Sequence, residues 1–322
     1  MSILKENRVL LAKLEAAVGT PISLSATDGV FCVYDVAINP SIEFHKRQQQ
    51  GGMSQLAGKA GAETCQLSFK LGLTGNGAGA GVPAWATTFL PACGLTQKSA
   101  AHAFDPSSKG VGVGAAGGSS ATPRSLTMGV YEGVSGVVKQ LFGATGNVKF
   151  TFAAGQIATA EFNFTGVWSD LVDGSALPAP NYPPEIPMSV LGATMTVGGA
   201  SVPCWNTFAI DMGNGVVMRP CATEAKGVFS SIITSREVTG AFDPETSQVG
   251  TYDPYNDWTD GDVKAVSLAL TDTVDTITFA VPQMQITTVG ETDRNGIVAD
   301  QIAFQALANT DAGDDEFSIT FS

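Results

Sequence analysis

The residues that most often carry catalysis or metal binding are scarce in this chain. Only two of its 322 residues are histidines, His45 and His102. His45 stands beside Lys46 and Arg47, His102 lies in a stretch of small residues, and neither has a Cys, Asp or Glu at metal-ligand spacing. A Ser-His-Asp or Cys-His constellation would have to use one of these two histidines. We therefore predict no catalytic site, no metal site and no bound cofactor.

Three further patterns have chemical precedents but lack the context that the chemistry requires. The five cysteines are odd in number and have no paired ligand spacing, which predicts reduced and mostly buried thiols. Residues 112–117 match G-x-G-x-x-G, but no strand precedes them and no helix follows, so we predict a loop. The acidic residues between 253 and 262 lack the spacing of an EF-hand and predict a solvated or interface-facing loop.

Composition and charge exclude further classes. Charged residues make up 15% of the chain, against about 25% in an ordinary domain. The 44% of apolar residues is enough to fill a core, which excludes intrinsic disorder. Within the net charge of −13, residues 1–176 carry +1 and residues 177–322 carry −14. Such a chain is not built to grip nucleic acid, although it could surround one, and low charge suits a surface covered in an assembly.

Membrane and export segments are not predicted. Charged residues interrupt the N-terminal segment, which therefore lacks the apolar core of a signal peptide. Residues 71–97 are uncharged and long enough to span a bilayer, but glycines and prolines break the stretch.

Alternation of apolar and polar residues predicts mainly strands. Residues 5–17 are the exception at the start, because their apolar spacing predicts a short helix. Two alternating segments, 31–44 and 64–73, predict the strands of a long hairpin joined by a loop over residues 43–63. Residues 83–94 predict a short helix with Pro83 in its first turn and Gly94 at its end.

A proline-rich segment divides the chain. Residues 177–187 contain five prolines, which exclude a helix or a central strand and predict a linker. Residues 188–322 then repeat the order of residues 1–176: paired strands, a long polar loop, a short helix, here near Trp258, and antiparallel strands. We predict two β-domains, 1–176 and 188–322, and their common order supports the hypothesis of a tandem duplication.

Several segments together resemble a known family. The chain resembles the major tail tube proteins of bacteriophages with long, non-contractile tails. The resemblance implies a mainly β chain of two tandem tail-tube-like β-barrel or sandwich domains, each with a short flanking helix. The segments that carry it are LAKLEAAVGT, INPSIEFHKRQQQGGMSQLAGKAGAETCQLSFKLGL, VPAWATTFLPACG, SIITSREVTGAFDPE, FAVPQMQITTVGETDRNGI and FQALAN.

The resemblance also implies an assembly. Such domains form six-fold rings whose sheets join in an inner β-barrel, and the rings stack into a conduit for DNA. With a duplicated domain, three chains make a pseudo-six-fold ring, and a ring of six chains is the alternative. The implied partners are copies of the chain itself, a tape-measure protein and DNA in the lumen without sequence-specific binding, and tail terminator and distal tail proteins at the ends. The implied location is the virion tail, after assembly in the host cytoplasm, with no membrane partner.

Charged residues predict how neighbouring rings could meet. The loop 43–63 carries basic residues and the C-terminal half offers acidic ones, and opposite charges favour correct register between the two. A solvated loop is the alternative. The predicted contacts are Lys46, Arg47, Lys59, Glu237, Asp243, Glu245 and Asp253.

Two other classes of protein remain open at this point. One is a different β-rich virion component, such as a capsid decoration or baseplate protein. The other is a carbohydrate-binding or hydrolytic β-protein that would use its tryptophans as sugar platforms, although tryptophan is more often a core residue. The tryptophans are Trp85, Trp168, Trp205 and Trp258.

Overall fold

The structure is a computed structural model that describes residues 8–322 except 30, 80, 99–101, 109–123, 134, 177, 180, 181, 183 and 203. Strands account for 57% of the described residues and helices for 7%, so the predicted mainly β class is confirmed. The glycine-rich segment 112–117 lies outside the described residues.

The described chain contains nineteen strands, two short α-helices and two 3-10 turns. The strands are β1 (Arg8–Leu14), β2 (Val33–Gln48), β3 (Gln55–Gly72), β4 (Leu95–Lys98), β5 (Ala103–Pro106), β6 (Leu126–Glu132), β7 (Ser135–Ala153), β8 (Thr159–Trp168), β9 (Val172–Ala176), β10 (Thr194–Val197), β11 (Ala200–Ser201), β12 (Trp205–Asp211), β13 (Gly215–Pro220), β14 (Val228–Ser235), β15 (Thr239–Pro244), β16 (Val263–Thr271), β17 (Thr276–Arg294), β18 (Ile297–Ala306) and β19 (Ser318–Phe321). The α-helices are α1 (Ala84–Phe89) and α2 (Pro254–Asp260), and single 3-10 turns cover Ala26–Asp28 and Leu90–Cys93.

The two short helices lie where the sequence predicts them, but the N-terminal helix prediction is wrong. Residues 8–14 form β1, which pairs antiparallel with β6 from Arg8 to Leu14. Four consecutive residues of β1, Val9 to Ala12, are buried. A strand buried on both faces loses the alternation that identifies strands, and its apolar run then imitates helical spacing.

The predicted loop 43–63 is also wrong in its extent. β2 continues to Gln48 and β3 resumes at Gln55, so only residues 49–54 form the turn of this hairpin. The pairing passes through irregular registers at Ile42/Phe44 and His45/Arg47. We call residues 43–63 the arm, because they extend the hairpin beyond the strands that support its base.

Eight strands form one continuous antiparallel sheet, which we call the main sheet. Their order is β2-β3-β8-β7-β12-β15-β18-β17. Four strands come from each half of the chain, and β7 and β12 join the halves. In the described part of the chain this sheet does not close on itself.

Two long strands leave the main sheet and build the layer behind it. β7 and β17 each have 19 residues. The first part of β7 pairs with β6 and β9, and the first part of β17 pairs with β16 and β19. At the bend of β7, Gly143 has a φ of 58°, in the left-handed region that favours glycine.

The core lies behind the main sheet and is continuous through both halves. Phe162 and Phe164 of β8 stack with a centroid distance of 5.8 Å, and Phe152 of β7 packs on Phe208 of β12 at the same distance. The strand pair β5–β19 also connects the halves. The division into domains 1–176 and 188–322 stays a prediction, as does the duplication, and residues 177, 180, 181 and 183 of the linker 177–187 lie outside the described residues.

Candidate assembly surfaces

The face of the main sheet that points away from the core is polar. Because side chains alternate along a strand, each strand that buries phenylalanines behind the sheet presents the intervening residues in front. One unbroken row of cross-strand partners runs over all eight strands. It consists of Tyr34, Lys70, Glu161, Lys149, Asp211, Thr239, Gln305 and Gln285.

The charges of this row compensate one another. Lys70 and Lys149 alternate with Glu161 and Asp211, and opposite charges on adjacent strands favour the pairing. The amide of Asn147 donates to the carboxylate of Asp211 over 2.7 Å. Neighbouring rows on this face hold mostly Thr, Ser, Asn, Gln and Ala. A surface of this kind neither packs as a core nor concentrates charge of one sign.

The polar face is concave at its centre. A groove of about 390 Å³ lies where β7, β12, β15, β17 and β18 meet. Its floor includes Gly240, where an added Cβ would lie 2.2 Å from the ring of Phe304, so only glycine allows the close approach of these strands. The groove is shallow, and its lining combines charged and polar side chains with alanines.

The main sheet has two open edges among the described residues. β2 pairs with β3 and with no other described strand. β17 is flanked by β16 as far as Gln285, but its residues 286–294 pair only with β18 in the described part of the chain. Unpaired N–H and C=O groups on such edges are templates for another strand.

The arm carries exposed apolar side chains that the sequence analysis did not single out. Phe44 is 60% exposed, Met53 and Leu56 are exposed as well, and Ile42, just before the arm, is 50% exposed. The ring of Phe44 covers Gly58, where an added Cβ would lie 2.5 Å from the ring. A two-stranded hairpin of this kind is marginally stable alone. The alternation of Ile42 and Phe44 was the available signal.

The basic residues predicted for the arm lie there and are exposed: Lys46 and Arg47 on β2 and Lys59 on β3. His45 pairs across the hairpin with Lys59. The predicted cluster of positive charge on the arm is thus formed, and whether it contacts another copy stays a prediction.

The four acidic residues predicted as its counterpart are not brought together. Asp243 and Glu245 share Arg294, at 3.1 and 3.7 Å. Glu237 is exposed just before β15. Asp253 accepts a hydrogen bond from the backbone N–H of Asn256 over 3.1 Å and caps α2.

The main sheet separates these acidic residues into two groups. Along β15, Glu237 lies toward the end from which the arm projects, and Asp243 and Glu245 lie at the opposite end.

The other predicted chemical patterns have structural roles. Asp257 is buried and pairs with Lys264, and burial together with Asp257 raises the pKa of Tyr252.

Among the described residues no group of three or more His, Cys, Asp or Glu side chains could hold a metal ion. No helix within the described ranges is both long enough and apolar enough to cross a membrane. Trp85 and Trp168 are buried, whereas Trp258 is exposed.

The prediction of mostly buried thiols is wrong. Cys65 and Cys93 are buried, Cys32 and Cys204 are exposed, and Cys221 is intermediate. Burial raises the pKa of the Cys65 thiol to about 12, so this thiol stays protonated and unreactive at neutral pH.

These features define a β-protein with open sheet edges, a polar sheet face and a protruding arm. The family model of the phage tail tube protein matches residues 6–306. The chain therefore belongs to the phage tail tube protein family. No curated protein matches it.

Family membership fixes the general role of the chain. It is a structural protein of the bacteriophage virion and its place is the tail. A tail tube protein indicates a non-enzymatic function and self-assembly into a tube.

Proposed function

We propose that three copies of the chain form a ring in which their main sheets join into one barrel, and that such rings stack into the conduit for DNA. The observation that carries this proposal is the eight-stranded main sheet, with a polar concave face and an open edge on each side. A sheet of this width cannot bury its polar face in a core, and its edges require partners.

The number of strands favours three copies over six. Eight strands from each of three copies give a barrel of 24 strands, with a backbone diameter of about 45 Å at ordinary strand spacing and tilt. Six copies would give 48 strands and about 90 Å. The narrower barrel leaves room for one DNA duplex, or for a tape-measure protein before ejection, without a wide unfilled lumen.

The polar face suits a wall along which DNA slides. Affinity for DNA comes chiefly from lysine and arginine side chains that neutralise phosphates. Here Lys70 and Lys149 are balanced by Glu161 and Asp211 in the same row. The wall thus contains polar groups but no excess of positive charge that would retain the polyanion.

The arm is proposed to join successive rings. It projects from one end of the main sheet, and Asp243 and Glu245 lie at the other end, as head-to-tail stacking requires. Arg294 already offsets part of that acidic charge. We therefore assign the larger share of this contact to the apolar arm residues Phe44, Met53 and Leu56, with Lys46, Arg47 and Lys59 guiding the register. Tail terminator and distal tail proteins would cover the two ends of the tube.

Electron microscopy of the purified chain, combined with native mass measurement, tests the proposal. We expect rings or tubes of constant width with three chains per ring, about 99 kDa from chains of 33.1 kDa. A stable monomer at micromolar concentration would contradict the ring. Closed shells or isolated spikes would instead indicate a capsid decoration or baseplate component.

A further inference from the structure

We infer that the seam between neighbouring chains of the ring is formed by β17 residues 286–294 of one copy and β2 residues 34–42 of the next, paired antiparallel. This inference rests on the proposed ring and names the surface that closes it. The partner is a second copy of this chain, since each copy supplies one open edge of each kind.

The direction of the strands permits this pairing. All neighbours in the main sheet are antiparallel, and the sheet has eight strands. β2 and β17 therefore run in opposite directions. A rotation about the tube axis brings β17 of one copy beside β2 of the next in antiparallel orientation, whereas an odd number of strands would force a parallel seam.

The two open segments have matching lengths and lie on opposite sides of the row that contains Tyr34 and Gln285. The open segment of β17 ends at Arg294. Its partner on β18 is Ile297, which lies eight residues along that strand from Gln305 of the row. In the other direction along the sheet, β2 reaches Ile42, whose partner Glu63 lies seven residues before Lys70. Pairing the two segments displaces each copy by about eight residues along the strands.

That displacement is the one that closes a barrel at a normal strand tilt. A shift of about eight residues for every eight strands is the ratio found in eight-stranded barrels of shear 8, whose strands tilt by about 36°. Barrels typically tilt their strands by 35–45°. A seam without displacement would place β2 where β16 already pairs with β17. A seam built from the arm would need a tilt of about 50°.

The side chains agree with this register. On the polar face it sets Gly290 opposite Asn39 and Thr292 opposite Ala37, and a Cβ added at Gly290 would lie no closer than 4.0 Å to its nearest neighbour, the carbonyl of Gln301. Pro40 lacks an N–H donor, which suits an edge strand and removes one hydrogen bond from the seam.

A groove at the base of β2 provides a seat for the tip of the neighbouring hairpin. The groove has a volume of about 500 Å³ and lies between β1 and the first residues of β2, with Arg8 and Tyr182 in its lining. In the inferred register the turn between β17 and β18 reaches this groove. The first residues of β18, Ile297 and Val298, are 50% and 48% exposed in the single chain and would be covered there.

Disulfide cross-linking across the seam tests the inference. The variant carries Asn39→Cys and Gly290→Cys in a full-length background with Cys32, Cys204 and Cys221 changed to serine. Within one chain the two positions lie on opposite edges of the main sheet, seven strand spacings or about 34 Å apart, so they cannot form an internal disulfide. Oxidised rings should give bands of two and three linked chains on a non-reducing gel and none larger.

A matched control and a second pair complete the test. Asn39→Cys with Thr239→Cys uses the same face but an interior strand, so it should remain uncross-linked, and cross-linking there would contradict the seam. Ala37→Cys with Thr292→Cys reports the same register if the first variant forms no rings. Rings that cross-link in neither seam pair would overturn the seam and leave the proposed ring intact. Protein that stays monomeric would overturn the ring itself. A ladder continuing to six chains would support the seam and contradict the count of three.

Discussion

The two halves of the chain each contain a prominent hairpin, and these hairpins end in different environments. The hairpin β13–β14 forms its own two-stranded sheet and packs on β7 and β8. The side chain of Ser231 in β14 accepts a hydrogen bond from the backbone N–H of Thr145 and donates to the carbonyl of Gly143, at 2.6 and 2.9 Å. One face of this hairpin is thus fixed by contacts within the chain.

The hairpin β2–β3 pairs with another strand of the chain only along its base. There β3 pairs with β8 from Thr64 to Gly72. The part of the hairpin that contacts the rest of the chain ends at Glu63. There Lys226, in the turn between β13 and β14, donates a hydrogen bond to Glu63 over 2.5 Å and another to Asp170 over 2.7 Å. From Glu63 outward to the turn, the two strands of the arm pair only with each other among the described strands, and the arm exposes Phe44 and Met53.

The difference between the hairpins shows where stability and assembly are located. Removing contacts of β13–β14 should weaken the folded chain, whereas changing the arm should leave the chain folded and alter the tube.

Replacing residues 44–61 with an Asn-Gly turn should abolish long tubes while leaving rings. The arm contributes apolar and charged groups to the proposed stacking contact but little to the core, so the thermal unfolding midpoint should change little. Loss of even 1.4 kcal/mol per contact is a tenfold loss of affinity, and each ring would lose three such contacts. Tube lengths measured by electron microscopy report the result, and tubes of normal length would show that the arm is a solvated appendage.

Replacing Ser231 with alanine should instead lower the stability of the folded chain. The change leaves the N–H of Thr145 and the carbonyl of Gly143 without their partner in a buried site, at a cost of about 2 kcal/mol in the free energy of unfolding. Urea denaturation of the purified chain measures it. Thr234→Ala in the same hairpin is the matched control, because Thr234 is exposed, and a loss of equal size there would remove the distinction.

Reversing two charges of the arm should have a moderate effect on assembly. Arg47→Glu with Lys59→Glu keeps the hairpin but repels the acidic end of the next ring, so we expect rings and few long tubes. Exposed ion pairs contribute up to about 1 kcal/mol each, and the defect should weaken as salt is added. Arg219→Glu reverses one charge on the exposed face of β13, away from the arm, and should not shorten tubes, whereas Arg47→Glu alone should. Equal shortening by both variants would indicate a non-specific effect of net charge.

The sequence predicts the strands of this fold better than it predicts its surfaces. β8 alternates because one face meets the core and the other is polar, and its pattern in Phe162 and Phe164 is visible without a structure. β1 is buried on both faces and imitates a helix. The arm is buried on neither face, so its glycines and polar residues imitate a loop although the backbone remains paired.

The main sheet could not have been derived from local patterns. The row from Tyr34 to Gln285 depends on seven registers, four of which join strands that are not consecutive in the sequence, and a one-residue slip in any of them would reverse the faces. The charge balance of Lys149 with Glu161 and Asp211 exists only in that register. By contrast, the basic residues of the arm are neighbours in sequence or across one hairpin, and local reasoning found them.

Acid should slightly weaken the ion pairs at the end of β14. Arg236, which follows this strand, binds Asp314 over 2.9 Å and Glu316 over 2.5 Å. Burial alone would raise the pKa of Asp314. Hydrogen bonds from Ser108 and the guanidinium of Arg236 lower it by more, so the pKa of Asp314 lies below the ordinary 3.8. A carboxyl with a lowered pKa stabilises the folded chain above pH 3.8, and this contribution is lost as the pH falls below that value. Because solvent screens the pair, we expect a loss of less than about 1 kcal/mol. Urea denaturation at pH 7 and pH 3 should show a smaller acid-induced loss in Asp314→Asn than in the parent chain, and an equal loss in both would assign the acid sensitivity to other carboxyl groups.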